Sequence, residues 1–140
     1  MTDPSNVGRH RATVRALLEG WSSGDEPKMR KVLHPDAVWI AAQSAAEAGF
    51  PTPLVGAEAI ASTIARAGGA YEYLNLEIES IIVEDDQAAA LLTLSGKRKS
   101  GALYRNSYLF FLGFSDGLIA RIHEATDTAY IFKLKAQEAR

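Results

Sequence analysis

The sequence contains no cysteine. That absence removes disulfide scaffolds, thiolate zinc sites and cysteine nucleophiles, and nothing demands an oxidising compartment. An excess of one charge sign is also missing: 15 Lys and Arg stand against 17 Asp and Glu, a formal net charge of -2. A nucleic-acid binder usually needs a clear basic excess, so this balance argues against one. No window approaches about 18 consecutive apolar residues, and Met1-Thr2-Asp3-Pro4-Ser5-Asn6 lacks the basic-then-apolar order of a leader. Neither a membrane segment nor a signal peptide is expected, and the cytoplasm is the expected location. The HExxH and GxGxxG motifs are absent, as is any His/Asp/Glu cluster with metal-ligand spacing, and the letters G-x-S-x-G occur only as Gly20-Trp21-Ser22-Ser23-Gly24 at the end of a helical pattern, not in the strand-to-helix turn a serine nucleophile needs. Metal hydrolase, dinucleotide enzyme and serine hydrolase readings therefore lack support, which leaves a site with no cofactor and no metal.

What is present is enough apolar material for one core, 47% of 140 residues. By surface scaling, folding would reduce the exposed area from about 21,900 to about 7,100 Å². A single domain over 1–140 is expected, with its core at about residues 7–130 and loose ends at residues 1 to about 5 and after Leu134. Val7, Val14, Leu17, Leu18 and Trp21 repeat at helical spacing between Asn6 and Ser23, with Gly24 as a stop. Asp25 then stands as an N-cap with Pro27 in the first turn, predicting a second helix that ends before Pro35. Ala37–Ala41 reads as a strand, and Gln43–Val55, with Gly49, Pro51 and Pro53, as an irregular loop. Ala57, Ile60, Ala61, Ile64 and Ala65 share one face of a third helix that stops at Gly68-Gly69. From Tyr73 onward the period becomes two. Strands broken at Asp85-Asp86 and Ser115-Asp116-Gly117 give a meander through Thr126. Helices followed by an antiparallel sheet make the fold class α+β.

Alternation also assigns faces. Tyr104, Asn106, Tyr108, Phe110 and Leu112 share one side of their strand, and Ile122, Glu124 and Thr126 share one side of the last. A carboxylate on the helix-covered face would have its charged form disfavoured, and its raised pKa would suit proton transfer. Glu124 is therefore the leading candidate, against the commoner use of a strand Glu as a solvated residue. Asn106 could orient a carbonyl or simply satisfy backbone groups. His34 reads as ordering a turn, and His123 lies on the opposite face from Glu124. Trp39, Trp21 and the Tyr71/Tyr73 pair could line an apolar pocket or fill a core.

Gly20-Trp21-Ser22-Ser23-Gly24-Asp25, His34-Pro35-Asp36-Ala37-Val38-Trp39 and Gly56-Ala57-Glu58-Ala59-Ile60 resemble the front half of SnoaL-like proteins of the nuclear transport factor 2-like superfamily. Tyr104-Arg105-Asn106-Ser107-Tyr108, Asp116-Gly117-Leu118-Ile119 and Glu124-Ala125-Thr126-Asp127 resemble that family's Y-x-N-x-Y, D-G-x-I and E-x-x-D signatures. The resemblance implies a cone: a curved antiparallel sheet around three helices, open to an apolar pocket and paired as a homodimer through the sheet's outer face. Such cones include ketosteroid isomerase, scytalone dehydratase, limonene epoxide hydrolase, polyketide cyclases, phenazine-biosynthesis condensing proteins and members that only bind. Fold alone does not choose among these.

The resemblance can be tested residue by residue. The catalytic base of ketosteroid isomerase aligns with Ala41, its oxyanion Tyr with Leu17 and its oxyanion Asp with Asn106, which removes that mechanism. Limonene-type epoxide hydrolysis keeps an acid at Glu124 but lacks an Arg/Asp pair on the strand of Thr93 and Ser95. Glu124 also matches the acid on the last strand of the phenazine-biosynthesis proteins, whose third-helix His has no counterpart here. The expectation is a cofactor-independent acid/base enzyme, of cyclase, isomerase or dehydratase type, for a small apolar cyclic or polyketide-like metabolite. Glu124 and Asn106 are its catalytic candidates, and Tyr108, Trp39, Tyr104, Leu17, Ala41 and Ile122 its substrate-binding candidates. A non-catalytic binder of a hydrophobic molecule is the alternative, limonene-type epoxide hydrolysis a second, and a module serving mainly to dimerise a third.

Overall fold

Two helices open the chain because apolar residues recur on one face of each and a capping residue separates them. A computed structural model describes residues 4–140, placing α1 at Pro4–Ser23 and α2 at Glu26–Val32. The Asp25 side chain accepts from the Lys28 N–H at 3.1 Å, the N-cap expected from sequence. Val14, Leu17 and Leu18 of α1 and Met29 of α2 are fully buried. Strand β1 follows at Leu33–Ala41, then a short helix α3 at Gln43–Glu47, a two-residue strand β2 at Leu54–Val55 and helix α4 at Ala57–Gly68. Helix α4 buries Ile60, Ala61 and Ile64.

Strands β3 (Tyr71–Glu84), β4 (Gln87–Arg98), β5 (Leu103–Ser115) and β6 (Leu118–Thr126) form the antiparallel meander, and helix α5 (Thr128–Glu138) closes the chain. The sheet order is β2-β1-β6-β5-β4-β3. Within it β1 runs parallel to β6, pairing Trp39 with Ile122 and Ala41 with Glu124. On β5 burial alternates residue by residue, with Tyr104, Asn106, Tyr108, Phe110 and Leu112 all buried. The core lies between this inner face and the packed helices, and Phe110, Leu112, Ile119 and Ile122 are completely covered. At Gly96 the backbone of β3 comes so close that a Cβ would lie 2.1 Å from the Tyr73 carbonyl oxygen. Only glycine fits there, where the pairing shifts register between Tyr71 and Tyr73.

Three expectations change. The polar end after Leu134, expected to be loose, belongs to α5, capped by the Asp127 carboxylate accepting from the Tyr130 N–H at 3.2 Å. The loop Gln43–Val55 contains α3 and β2. Strand β1 begins at Leu33 and runs through Pro35, because a register shift between Leu33 and Val38 relieves Pro35 of donating to the ladder. The expectation of a loose N-terminus falls on residues 1–5, of which 1–3 lie outside the described residues.

Candidate active site

Glu124 projects from the inner face of β6 because Ile122, two residues before it, is locked into the core. Phe110 is its neighbour on β5 and Ala41 its neighbour on β1. Its carboxylate meets one donor: the Trp39 indole N–H gives a hydrogen bond to Oε2 at 3.3 Å. Burial outweighs that single bond and pushes the carboxyl up from 4.5 to about 7.

The carboxyl lines a cavity of about 280 Å³. Trp21 of α1, Ile64 of α4, Leu74 of β3 and Leu94 of β4 give apolar walls, and Ala45, Phe50, Ile131 and Leu134 close it from α3, its following loop and α5. The Trp21 ring stands edge-on to Tyr108 and Phe110, with centroids 4.8 and 5.4 Å apart. This is the shape of a small-molecule pocket, mostly apolar with a few convergent polar groups.

Tyr104 and Tyr108 line the same cavity and their hydroxyls are hydrogen-bonded to each other. Two hydroxyls carry two hydrogens, and their mutual bond uses one, which leaves one O–H able to donate elsewhere. Burial pushes Tyr104 up to about 12, and burial followed by the neighbouring Tyr104 pushes Tyr108 well above the ordinary phenol range. Both are therefore protonated donors at neutral pH, not bases.

Asn106 is spent on its surroundings. Its Nδ2 donates to the Asp127 carbonyl at 3.1 Å and to the Tyr104 hydroxyl at 3.4 Å, and its Oδ1 accepts from the Ser107 N–H at 3.0 Å. It does not line the cavity but sets the orientation of Tyr104. Trp39 reaches the site through its indole N–H on Glu124; its ring is buried against Phe110. Leu17 and Ile122 sit in the closed core, away from the cavity lining, and Ala41 flanks Glu124 in the ladder without lining it. His34, expected in a turn, lies near the start of β1 and accepts from the Asp36 N–H at 3.1 Å, and His123 is bonded to Arg121 on the outer side.

Sequence reasoning missed Arg98 on β4 and Lys135 on α5, both of which line the cavity. Asp127 before Thr128, with Tyr130, Ile131 and Leu134 spaced behind it, was the signal for α5. Among the described residues, no group of three His, Asp or Glu is placed to hold a metal ion. Nor is any helix there long and apolar enough to cross a membrane.

The family model for the SnoaL-like domain matches residues 14–122. The chain belongs to the SnoaL-like family. Among curated proteins, none matches the sequence. Solved structures share the fold of this SnoaL-like protein at low identity. A nuclear transport factor 2-like protein of unknown function from Burkholderia pseudomallei K96243 is 19% identical with a TM-score of 0.79, covering 90% of this chain and 96% of its own. A protein described as a SnoaL-like polyketide cyclase from Jannaschia sp. CCS1 is 16% identical with a TM-score of 0.80, covering 95% of each chain. An LEH-like epoxide hydrolase from M. tuberculosis is 17% identical with a TM-score of 0.73, covering 91% of this chain and 89% of its own. At these identities the likeness establishes the cone and not the reaction.

Proposed function

We propose that this SnoaL-like protein is a cofactor-independent enzyme that moves a proton on a small, largely apolar cyclic metabolite bearing a carbonyl or hydroxyl. Cyclisation, isomerisation and dehydration are the reactions of that type. The observation that carries the reading is the Glu124 carboxyl, held near 7 in the wall of an apolar cavity beside a pair of tyrosine hydroxyls. A group half-ionised at neutral pH serves equally as acid or base, which is where proton transfer is most efficient. The Tyr104/Tyr108 pair supplies a neutral donor for a developing oxyanion, and Asn106 holds that pair in place. Trp39 fixes the carboxylate rotamer through its N–H, and the apolar walls exclude water and orient the ligand.

The test needs no knowledge of the natural substrate. Exchange of the α-protons of a bicyclic ketone such as tetralone into deuterated water should be accelerated by the wild type, and Glu124→Gln should slow it by about 100-fold or more. Binding of the ketone should survive the substitution. Unchanged exchange in Glu124→Gln refutes proton transfer by this residue. It would favour the second reading, a non-catalytic binder, which is supported by Glu124 being the sole carboxylate among the described lining residues.

The reading includes a homodimer formed through the outer face of the sheet. Ile82, Leu91, Leu109 and Phe111 support it: all four are exposed on that face, on adjacent strands β3, β4 and β5.

A further inference from the structure

The remaining charged side chains of the cavity are of one sign. Arg98 and Lys135 line it, whereas the sole lining carboxylate, Glu124, is largely protonated below pH 7. The Lys135 ammonium donates to the Ala48 carbonyl, a neutral acceptor, and an ammonium carries three donors. Gly49 makes room for it: with φ at +101°, a Cβ there would lie 3.0 Å from Nζ. Lys135 is also open to solvent, so it stands where the cavity meets bulk water. The Arg98 guanidinium lies 4.9 Å from the Tyr71 ring centroid, and its Nε donates to Glu138 at 2.7 Å. Glu138, which neutralises part of this charge, is not among the lining residues.

We propose that Arg98 and Lys135 recognise an anionic oxygen on the ligand, which makes the ligand class an apolar ring system carrying one acidic group such as a carboxylate or enolate. This deepens the reading of the cavity as a ligand site and rests on it. Charge-assisted hydrogen bonds to such a group are stronger than neutral ones, and a partly dry cavity strengthens them further. A purely structural Lys135 would tether α5 to the turn after α3. Its loss would then weaken every ligand alike, whereas recognition affects only the anion.

The probes are anilinonaphthalene sulfonate and phenylnaphthylamine, the same rings without the acid, titrated by fluorescence with the amide resonances of Gly49 and Glu124 reporting that each sits in the cavity. The wild type is expected to favour the sulfonate by about tenfold or more, the scale of one charge-assisted bond. Lys135→Met and Arg98→Met should each lose most of that preference while holding the neutral probe as before, and Lys135→Arg should retain it. A preference that survives both methionine substitutions overturns the proposal, as does an equal loss of both probes or binding of neither in the cavity. Because the readout is an affinity ratio, it is separable from catalysis. Proton exchange indifferent to Glu124→Gln would refute the enzyme reading and leave the anion preference standing, whereas Glu124-dependent exchange without the preference would refute this inference alone.

Discussion

Burial holds the Glu124 carboxyl near 7, whereas in the unfolded chain it returns to its ordinary 4.5. Between those values the folded state keeps a proton that the unfolded state has released, so stability falls as pH rises through the window and stays lowered above it. The loss is about 3–4 kcal/mol, the shift from 4.5 to about 7 counted at about 1.4 kcal/mol per pKa unit. Glu124→Gln, which cannot ionise, should therefore gain on the wild type by about that amount in urea unfolding at pH 8 and not at pH 4. An equal difference at the two pH values would contradict the burial account. Trp39→Phe removes the one hydrogen bond that favours the charged carboxylate, and the Glu124 pKa measured by NMR should rise further. At this scale the sequence was informative where strand alternation decides which residues share a face: Tyr104 and Tyr108 were grouped on one side of β5 and Glu124 with Ile122 on one side of β6, and the structure makes both sides the inner ones. Alternation could not say that Asn106 would be consumed by the Asp127 carbonyl and its own neighbour's N–H, because the Asp127 carbonyl comes from the turn after β6.

Elements with a strong period were legible and elements without one were not. Helix α4 buries Ile60, Ala61 and Ile64 on one stripe, and its range follows from the sequence closely. Helix α5 has only Leu134 buried, and its cap at Asp127 with Tyr130, Ile131 and Leu134 behind it is a weaker signal than the stripe of α4, yet it closes the cavity and contributes Lys135. It is held by polar contacts: Arg98 and Ser100 on Glu138, Thr128 on Ser44, and the Tyr130 hydroxyl between Arg105 and Leu103. The cap is an accessible test of that element. Asp127→Ala should cost about 1 kcal/mol in chemical denaturation, the usual value of an N-cap side chain. Gly96 tests the sheet. A methyl group there meets the Tyr73 carbonyl oxygen, so Gly96→Ala should lower stability by about 1–3 kcal/mol, the scale of overpacking. A variant as stable as the wild type would show that β3 and β4 do not approach as described.

For the whole molecule, the order of helices before a meander was enough to place the sheet's inner face against the helices. The parallel pairing of β1 with β6 was not legible, because no local pattern distinguishes which edge the first strand joins. The outer apolar face carries the prediction at this scale. Sedimentation should show a dimer, and Leu109→Lys together with Phe111→Lys, both at exposed outer positions, should give a folded monomer. A wild type that is monomeric at all concentrations would remove the dimer from the account.

The proton-transfer reading and the pH dependence of stability both depend on one carboxyl. Carboxyl-carbon NMR of Glu124, titrated in the free protein and again with a cyclic ketone bound, tests it most directly. The account predicts a midpoint near 7 that moves when the ligand enters. A midpoint near 4.5 that no ligand shifts would contradict it, placing Glu124 in water and the chemistry elsewhere.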